Sequence, residues 1–473
     1  MHKSSRKVTR RQILKGAAAL TTAAALFPQI VPRHVVGGKG FKPPSETVNV
    51  ASIGVGGWGG VDLRSSNAAG ARIVALCDVD KGRAKSAVKQ FQRAKLYKDF
   101  RRLLEKEKGI DAVTIGIPDH SHATVTMAAM ELGKHVYCEK PLAHTMYEVR
   151  MITEAARRYG VATQLGCHGH SADTIHEFCE CIWSGAIGKV REIHILEAGM
   201  NYSQLGALSR LANDHRVPQE LDWDLWLGPA PERKYNPLYH PGAWRGWRQF
   251  GTGMLGDWLC HVVDPVFWAL DLGAPSSVFA EAEGFDSESQ IETFPQSSKI
   301  RFEFPERGEL PPVTMTWYDG DKYAPPRPEE LEDGEEFIPT TEWAGRGPIG
   351  ALVVGDKGKI TYGSHGAAYW RIIPESKMNG YKGDRTVKAD PLDRSLPSNV
   401  SHHQEFLQAC KGYKPAGANF DYGGPLTEIA MLGNIAHHMP GTKLEWDAKH
   451  MMFPSHPEAN QYLHYAYRDG WTL

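Results

Sequence analysis

Cysteine is scarce and odd in number, seven in 473 residues scattered along the chain. That pattern excludes a small disulfide-stapled scaffold. Long apolar runs are also missing. The apolar segment Gly16–Phe27 is dominated by alanine and falls short of the roughly 20 residues a bilayer span needs, so no stable membrane insertion is expected. Neither charge dominates: 54 Lys and Arg face 55 Asp and Glu, a formal net charge of −1. Acid is absent from residues 1–44, which carry nine Lys and Arg. The remaining body therefore holds 45 basic against 55 acidic groups, a net −10. A body that acidic argues against nucleic-acid binding and suits a small neutral substrate at least as well as a charged one. With 41% hydrophobic and 10% aromatic residues, the composition excludes a mostly disordered, collagen-like or coiled-coil protein. No internal repeat stands out, and the length allows two or three domains.

Four segments follow from the sequence. Residues 1–44 read as an export signal and linker, 45–167 as a nucleotide-binding domain, 168–440 as a substrate-binding α+β domain, and 441–473 as a tail docking on the body or on a neighbouring subunit. In the first segment, Thr9-Arg10-Arg11-Gln12-Ile13-Leu14-Lys15 resembles the twin-arginine export signal. That resemblance implies passage through the twin-arginine translocation machinery to the periplasm. It also implies a folded protein that loads its cofactor before leaving the cytoplasm.

The second segment carries a nucleotide-binding pattern. Val48–Ile53 is a short β-branched run, a buried parallel strand. Gly54, Gly56, Gly57, Trp58 and Gly59 follow, then a helix over 61–69, then a strand over 71–77 that ends in Asp78. In this setting Gly54 permits the tight turn, Gly56 lets the backbone approach a pyrophosphate, and Gly59 allows close helix–strand packing. The helix N-terminus offers unpaired N–H groups to the phosphates. Asp78 can accept hydrogen bonds from ribose hydroxyls and would repel a 2′-phosphate, which favours NAD over NADP. Helices over 81–93, 100–106, 122–132 and 147–159 alternate with strands over 112–117, 136–138 and 162–165. The alternation predicts an α/β fold with a Rossmann-type doubly wound parallel sheet. Ligands in such sheets sit beyond the carboxyl ends of the strands. Pro118, Asp119, His120 and His122, then Glu139 and Lys140, then His168 and His170, all fall there.

These motifs, taken together, resemble the Gfo/Idh/MocA oxidoreductase family from Val48 to the C-terminus. The marks are the glycine loop with Asp78, the turn Pro118-Asp119-His120-Ser121-His122, the run Gly133–Leu142 containing Glu139-Lys140-Pro141, and the pair Asp257-x-x-x-His261. The resemblance implies hydride transfer between nicotinamide and a sugar or polyol carbon, with Lys140 matching the family's catalytic lysine. It implies Pro118, Asp119, His122 and Glu139 beside the cofactor. The residues themselves agree with this chemistry. A carbinol that loses hydride must also lose its hydroxyl proton, so a base and a donor for the developing alkoxide are needed. Asp257 and His261, four residues apart, share one face of a helix. His261 suits acid/base work, while Asp257 either orients its imidazole or holds a substrate hydroxyl. Lys140 either donates to the reacting oxygen or takes the base role itself. His122 is read either as a contact to nicotinamide or substrate or as a helix cap, and Asp264, before Pro265, as a cap.

In the third segment, strands over 190–197, 277–283, 298–304, 313–318, 351–354, 359–362 and 370–373 predict a large, mainly antiparallel open sheet. The resemblance implies that this sheet carries substrate and subunit contacts, hence a homo-oligomer. A capping box at Ser401–Gln404 predicts a helix through Cys410, and Thr427–His438 another. Six of the 13 Trp lie between Trp223 and Trp268. Most read as core. Trp244 and Trp247, flanking Arg245, are candidates for the C–H faces of a sugar, with His168, His170, Tyr202, His240 and Asn201 as further pocket residues. The histidine clusters also admit a metal-dependent hydrolase, but the nucleotide fold explains the first of them, no HExxH or paired Cys-x-x-Cys is present, and no metal is expected. The leading function is an exported oxidoreductase with tightly bound NAD acting on a carbohydrate. A redox-neutral glycosidase working by transient oxidation and elimination is the alternative, and a non-catalytic sugar-binding protein the third reading.

Overall fold

Six short strands build the first sheet: β1 (Asn49–Ile53), β2 (Arg72–Cys77), β3 (Lys95–Tyr97), β4 (Ala112–Ile115), β5 (His135–Cys138) and β6 (Thr163–Leu165). The computed structural model describes residues 46–197, 202–331, 338, 348–383 and 398–473. Residues 1–45, read above as an export signal and linker, and Asn201 lie outside the described residues, as does part of the Pro-, Glu- and Gly-rich stretch 320–350, which the sequence marks as a long loop. The strand order is β3-β2-β1-β4-β5-β6, and every neighbouring pair is parallel. Strand β4, Ala-Val-Thr-Ile, is buried at all four positions, as expected for a strand covered on both faces. The chain moves one way from β1 to β2 and β3, and the other way to β4, β5 and β6. The reversal opens a crevice at the carboxyl ends of β1 and β4.

The second sheet has eight strands: β7 (Val190–Glu197), β8 (Ser277–Glu281), β9 (Ser298–Phe304), β10 (Val313–Asp319), β11 (Ile349–Gly355), β12 (Lys359–Gly363), β13 (Ala368–Ile373) and β14 (Lys443–Glu445). Their order is β13-β12-β11-β7-β10-β9-β8-β14. Only the pair β7·β10 is parallel; the others are antiparallel. Two elements depart from the sequence expectation. The helix Ser398–Cys410 already includes Ser401, whose hydroxyl donates to the Ser398 carbonyl at 3.0 Å instead of capping. The helix Phe420–Ala436 starts well before Thr427, with the Asn419 side chain accepting from the Asp421 N–H. Its Gly423, Gly424 and Pro425 are poor helix formers. They are kept because the helix packs tightly: a Cβ on Gly424 would lie 2.4 Å from the Thr153 hydroxyl. Among the elements not anticipated are the three-residue β3, the edge strand β14 and the short helices Trp223–Leu227 and Glu375–Gly380.

Burial of histidine sets the acid stability of this fold. Burial pushes His120, His168 and His403 down to about 4, and His144 and His438 down to about 3. His261, His365, His402 and His437 are also driven well below the ordinary range. Below about pH 6.5 the unfolded chain takes up protons that these folded histidines refuse, so stability falls as pH falls, by about 1.4 kcal/mol per pH unit per histidine. Six carboxyls and His170 act in the opposite sense. Burial raises Glu139 and Glu148 to about 7, Asp319 to about 6, Asp62 well above the carboxylate range, and Asp78 and Asp119 above their ordinary value; His170 is raised because Asp264 beside it overcomes burial. The folded state keeps protons there that the unfolded groups release. The nine histidines, joined by His122, His135, His194 and His464, which burial also lowers, outnumber these groups. The thermal midpoint is therefore expected to drop by several degrees between pH 7 and pH 5, and calorimetry showing a flat or rising midpoint would contradict the balance.

Candidate active site

The crevice between the sheet ends is a cavity of about 550 Å³. At one end sits the glycine loop. Gly54 follows β1 with φ +78°, and a Cβ on Gly59 would stand 2.2 Å from the Gly54 carbonyl. Gly59 thus lets the helix Gly59–Ala68 close on the strand but does not itself line the cavity. Asp78, at the end of β2, accepts from the Val55 and Gly56 N–H groups at 3.0 and 3.2 Å and from the Asp80 N–H at 3.0 Å. Burial raises its pKa, partly offset by these donors. The carboxylate therefore shapes the loop and still faces the cavity beside Arg83 and Lys98. Glycine backbone, two cations and an acid at the end of β2 in one crevice match the groups a dinucleotide requires. Gly54, Gly56, Gly57, Trp58, Pro118, Asp119 and Glu139 line the same space. Asp119 also accepts from the Thr252 hydroxyl at 2.5 Å.

The other end holds the reactive groups. Lys140 ends β5 in a cis Lys140–Pro141 turn. The helix Gly253–Val262 approaches that turn closely, since a Cβ on Gly256 would lie 3.3 Å from the Pro141 ring and 1.8 Å from Thr252 Oγ1. This approach brings Asp257 onto Lys140. The Lys140 ammonium donates to Asp257 Oδ1 at 2.6 Å and to the Asp257 carbonyl at 2.7 Å. Arg245 donates to the same Oδ1 at 3.2 Å, and the Tyr202 hydroxyl donates to Oδ2 at 2.6 Å. Burial alone would raise the Asp257 pKa. The Lys140 and Arg245 cations overcome it and hold the carboxyl below the usual range. Asp257 is thus ionised and fully engaged with Lys140, Arg245 and Tyr202, and it does not orient His261.

His261, one turn further along, faces the cavity in other company. Its ring stacks on His365 at 4.0 Å between centroids and lies 5.7 Å from His168. Burial first, then the neighbouring His365 and Lys140, push its pKa well below the ordinary value, so the imidazole is neutral. His365 was not anticipated. It sits in the turn between β12 and β13, where His365 and Ala367 both adopt left-handed backbone, φ 56° and 55°. Such conformations cost on the order of 1 kcal/mol for a residue with a Cβ and here carry a histidine into the cavity. Flanking Gly363 and Gly366 marked a turn, but nothing in the sequence gave its side chain a direction. Trp258, Trp226, Arg83 and Trp471 are further wall residues that sequence reasoning did not single out for the site.

Several candidates lie elsewhere. Both His122 ring nitrogens face carbonyls, Pro141 and Ile117, each at 2.8 Å; it ties two loops together and is absent from the cavity wall. His170 is buried against Asp264 at 2.9 Å and stacks on Trp268. Asp264 also accepts from the Tyr422 hydroxyl, so it is a buried acceptor, not a cap. Trp247 is core, its indole N–H donating to the Leu238 carbonyl at 2.9 Å. His168 stands just behind the wall, stacked on Trp58 at 5.8 Å. Tyr202, Trp244, Arg245 and His240 do line the cavity, with Arg245 4.3 Å over the Trp244 ring. Among the described residues, no group of three or more His, Cys, Asp or Glu is placed to hold a metal, and no helix is long and apolar enough to cross a membrane.

Comparison with known proteins agrees with this arrangement. The sequence model of an oxidoreductase family with an NAD-binding Rossmann fold, Gfo/Idh/MocA, matches residues 48–167. The model of that family's C-terminal alpha/beta domain matches residues 173–305. Inositol 2-dehydrogenase of Salmonella typhimurium is 32% identical over 152 residues, 31% of this chain and 45% of that protein. The chain thus spans just under half the length of that curated relative. Levoglucosan dehydrogenase, solved with NADH and levoglucosan, superimposes with a TM-score of 0.55 at 17% identity, covering 84% of this chain and 99% of that one. An inositol dehydrogenase homologue from Azotobacter vinelandii, solved with NADH and myo-inositol, gives 0.53 at 17% identity, covering 85% and 98%.

Proposed function

The chain belongs to the Gfo/Idh/MocA oxidoreductase family, and we propose that it oxidises a hydroxyl carbon of a sugar or polyol with NAD as its tightly held partner. The observation that carries this reading is one cavity shared by the glycine loop with Asp78, the Lys140–Asp257 ion pair and a neutral His261. NAD, when bound, supplies the hydride acceptor. The chain's own residues handle the proton and the charge. Neutral His261 accepts the hydroxyl proton, as a base must be unprotonated to act. Lys140, fixed by Asp257, donates to the reacting oxygen as negative charge develops there. Arg245 and Tyr202 hold the far side of Asp257, so the lysine is set before substrate arrives. Trp244 and Trp258 offer aromatic faces to the C–H face of a carbohydrate.

The twin-arginine motif supports export of the folded protein. Outside the cytoplasm a dissociating NAD would be lost, which favours a cofactor that stays bound and is recycled in place by a second substrate or an electron acceptor. The inositol 2-dehydrogenase relative favours net oxidation over redox-neutral elimination. The test is a screen of free sugars, polyols and aryl glycosides, followed both at the reduced-nicotinamide band and by leaving-group release. Reduction of bound cofactor by free sugars or polyols is expected. Multiple turnovers of aryl-glycoside cleavage without any acceptor would make the protein a glycosidase instead.

A further inference from the structure

The chain's last residues return to the nucleotide-binding half. Trp471 lines the crevice beside Phe100, Leu225 and Trp226, at the end where Asp78 stands. Its ring lies 6.2 Å from that of Phe100, and the Arg101 guanidinium sits 4.7 Å over it. Arg468 pins this tail. It donates to the Gly228 carbonyl at 2.6 Å and to Asp224 through both side chain and carbonyl, at 2.6 and 2.5 Å. Tyr467 donates to the buried Glu148.

The segment that receives Arg468 is itself strapped across the carboxyl ends of β2 and β3. Leu221 forms a β-bridge with Asp80, the Asp222 N–H donates to the Val79 carbonyl at 2.9 Å, and the Lys81 N–H donates to the Glu220 carbonyl at 3.0 Å. Lys98 pairs with Asp222 at 3.1 Å and His240 with Asp80 at 2.8 Å. Asp80 follows Asp78 by two residues, so the strap is built on the strand end that presents the ribose-facing acid. A strap and a tail, far apart in sequence, wall this end of the crevice with Leu225, Trp226 and Trp471.

We propose that the C-terminal tail is a retention latch, in which Trp471, pinned by Arg468 to the strap, covers the adenosine end of bound NAD and must lift before the cofactor can leave. The inference rests on the NAD reading above and adds what makes the cofactor non-dissociating. Release is then limited by tail opening and by loss of an aromatic wall. Truncating one aromatic contact to a base is worth about 10- to 100-fold in binding.

The experiment uses the full chain loaded with NAD. Release is timed after dilution into a nucleotide scavenger, and the NAD left after desalting is counted by absorbance. Trp471→Ala and Arg468→Ala are each expected to release NAD about 10- to 100-fold faster than wild type. Trp471→Phe, which keeps a ring in place, is expected to restore most of the retention. A thermal midpoint measured on each variant separates loss of the latch from loss of the fold. Release from both alanine variants at the wild-type rate would overturn the latch while leaving the cofactor reading intact. Failure of the wild-type chain to bind NAD at all would overturn both.

Discussion

Replacing Lys140 with Met is expected to lower kcat by about 10²- to 10³-fold, the usual cost of removing one pre-set donor from a developing oxyanion, while NAD stays bound. The side chain keeps an apolar stem and loses the ammonium end, so the turn at Pro141 and the wall of the cavity survive. Asp257 loses its strongest partner, the ammonium at 2.6 Å. Stranding a buried carboxylate in this way commonly costs about 3–5 kcal/mol. Here Arg245 and Tyr202 remain on the same carboxylate, so the thermal midpoint should fall by less than that figure implies. The discriminating set is kcat, bound NAD and thermal midpoint on the same preparation. Loss of activity with NAD retained and a modest midpoint shift places Lys140 in the chemistry. Full activity with methionine would remove it, and loss of bound NAD would make it part of the cofactor cradle instead.

The parts of this site that were legible in the sequence are those fixed by local backbone chemistry. The glycine loop, the acid at the end of β2, the Lys140–Pro141 turn and the i, i+4 pair on one helix each follow from short-range rules, and each faces the crevice. What was not legible depends on long-range packing. His122 and Asp119 sit in the same five-residue turn, yet His122 rotates to bind two carbonyls while Asp119 lines the cavity. Trp244 and Trp247 are three residues apart and both pack in the cluster with Tyr239 and Phe250, yet only the first also reaches the cavity. His365 and Trp471 arrive from sequence positions about 200 and about 300 residues beyond the nucleotide-binding half. No pattern of period two or 3.6 encodes that. The fold was similarly clear where strands are β-branched and buried, and obscure for β3, β14 and the glycine-rich start of the Phe420–Ala436 helix, where tertiary packing overrides propensity.

His261→Asn is expected to cost about 10²- to 10⁴-fold in kcat/KM, the range for a positioned general base, and to change the shape of the pH profile. In the wild-type protein the imidazole has its pKa driven well below the ordinary value, by burial first and then by His365, Lys140 and His168. Protonation abolishes its base function, so activity is lost as pH falls through the folded pKa and is already on its plateau at neutrality. The acid limb should therefore lie below the about 6.5 of a free imidazole. In the asparagine variant that limb should vanish, leaving a small rate that climbs with hydroxide. The opposite assignment makes a different curve. If Lys140 were the base, the pH dependence of the wild type would be kept without His261. A neutral-pH plateau that disappears with His261 gives the proton to the imidazole and leaves Lys140 as the donor that Asp257 holds in place.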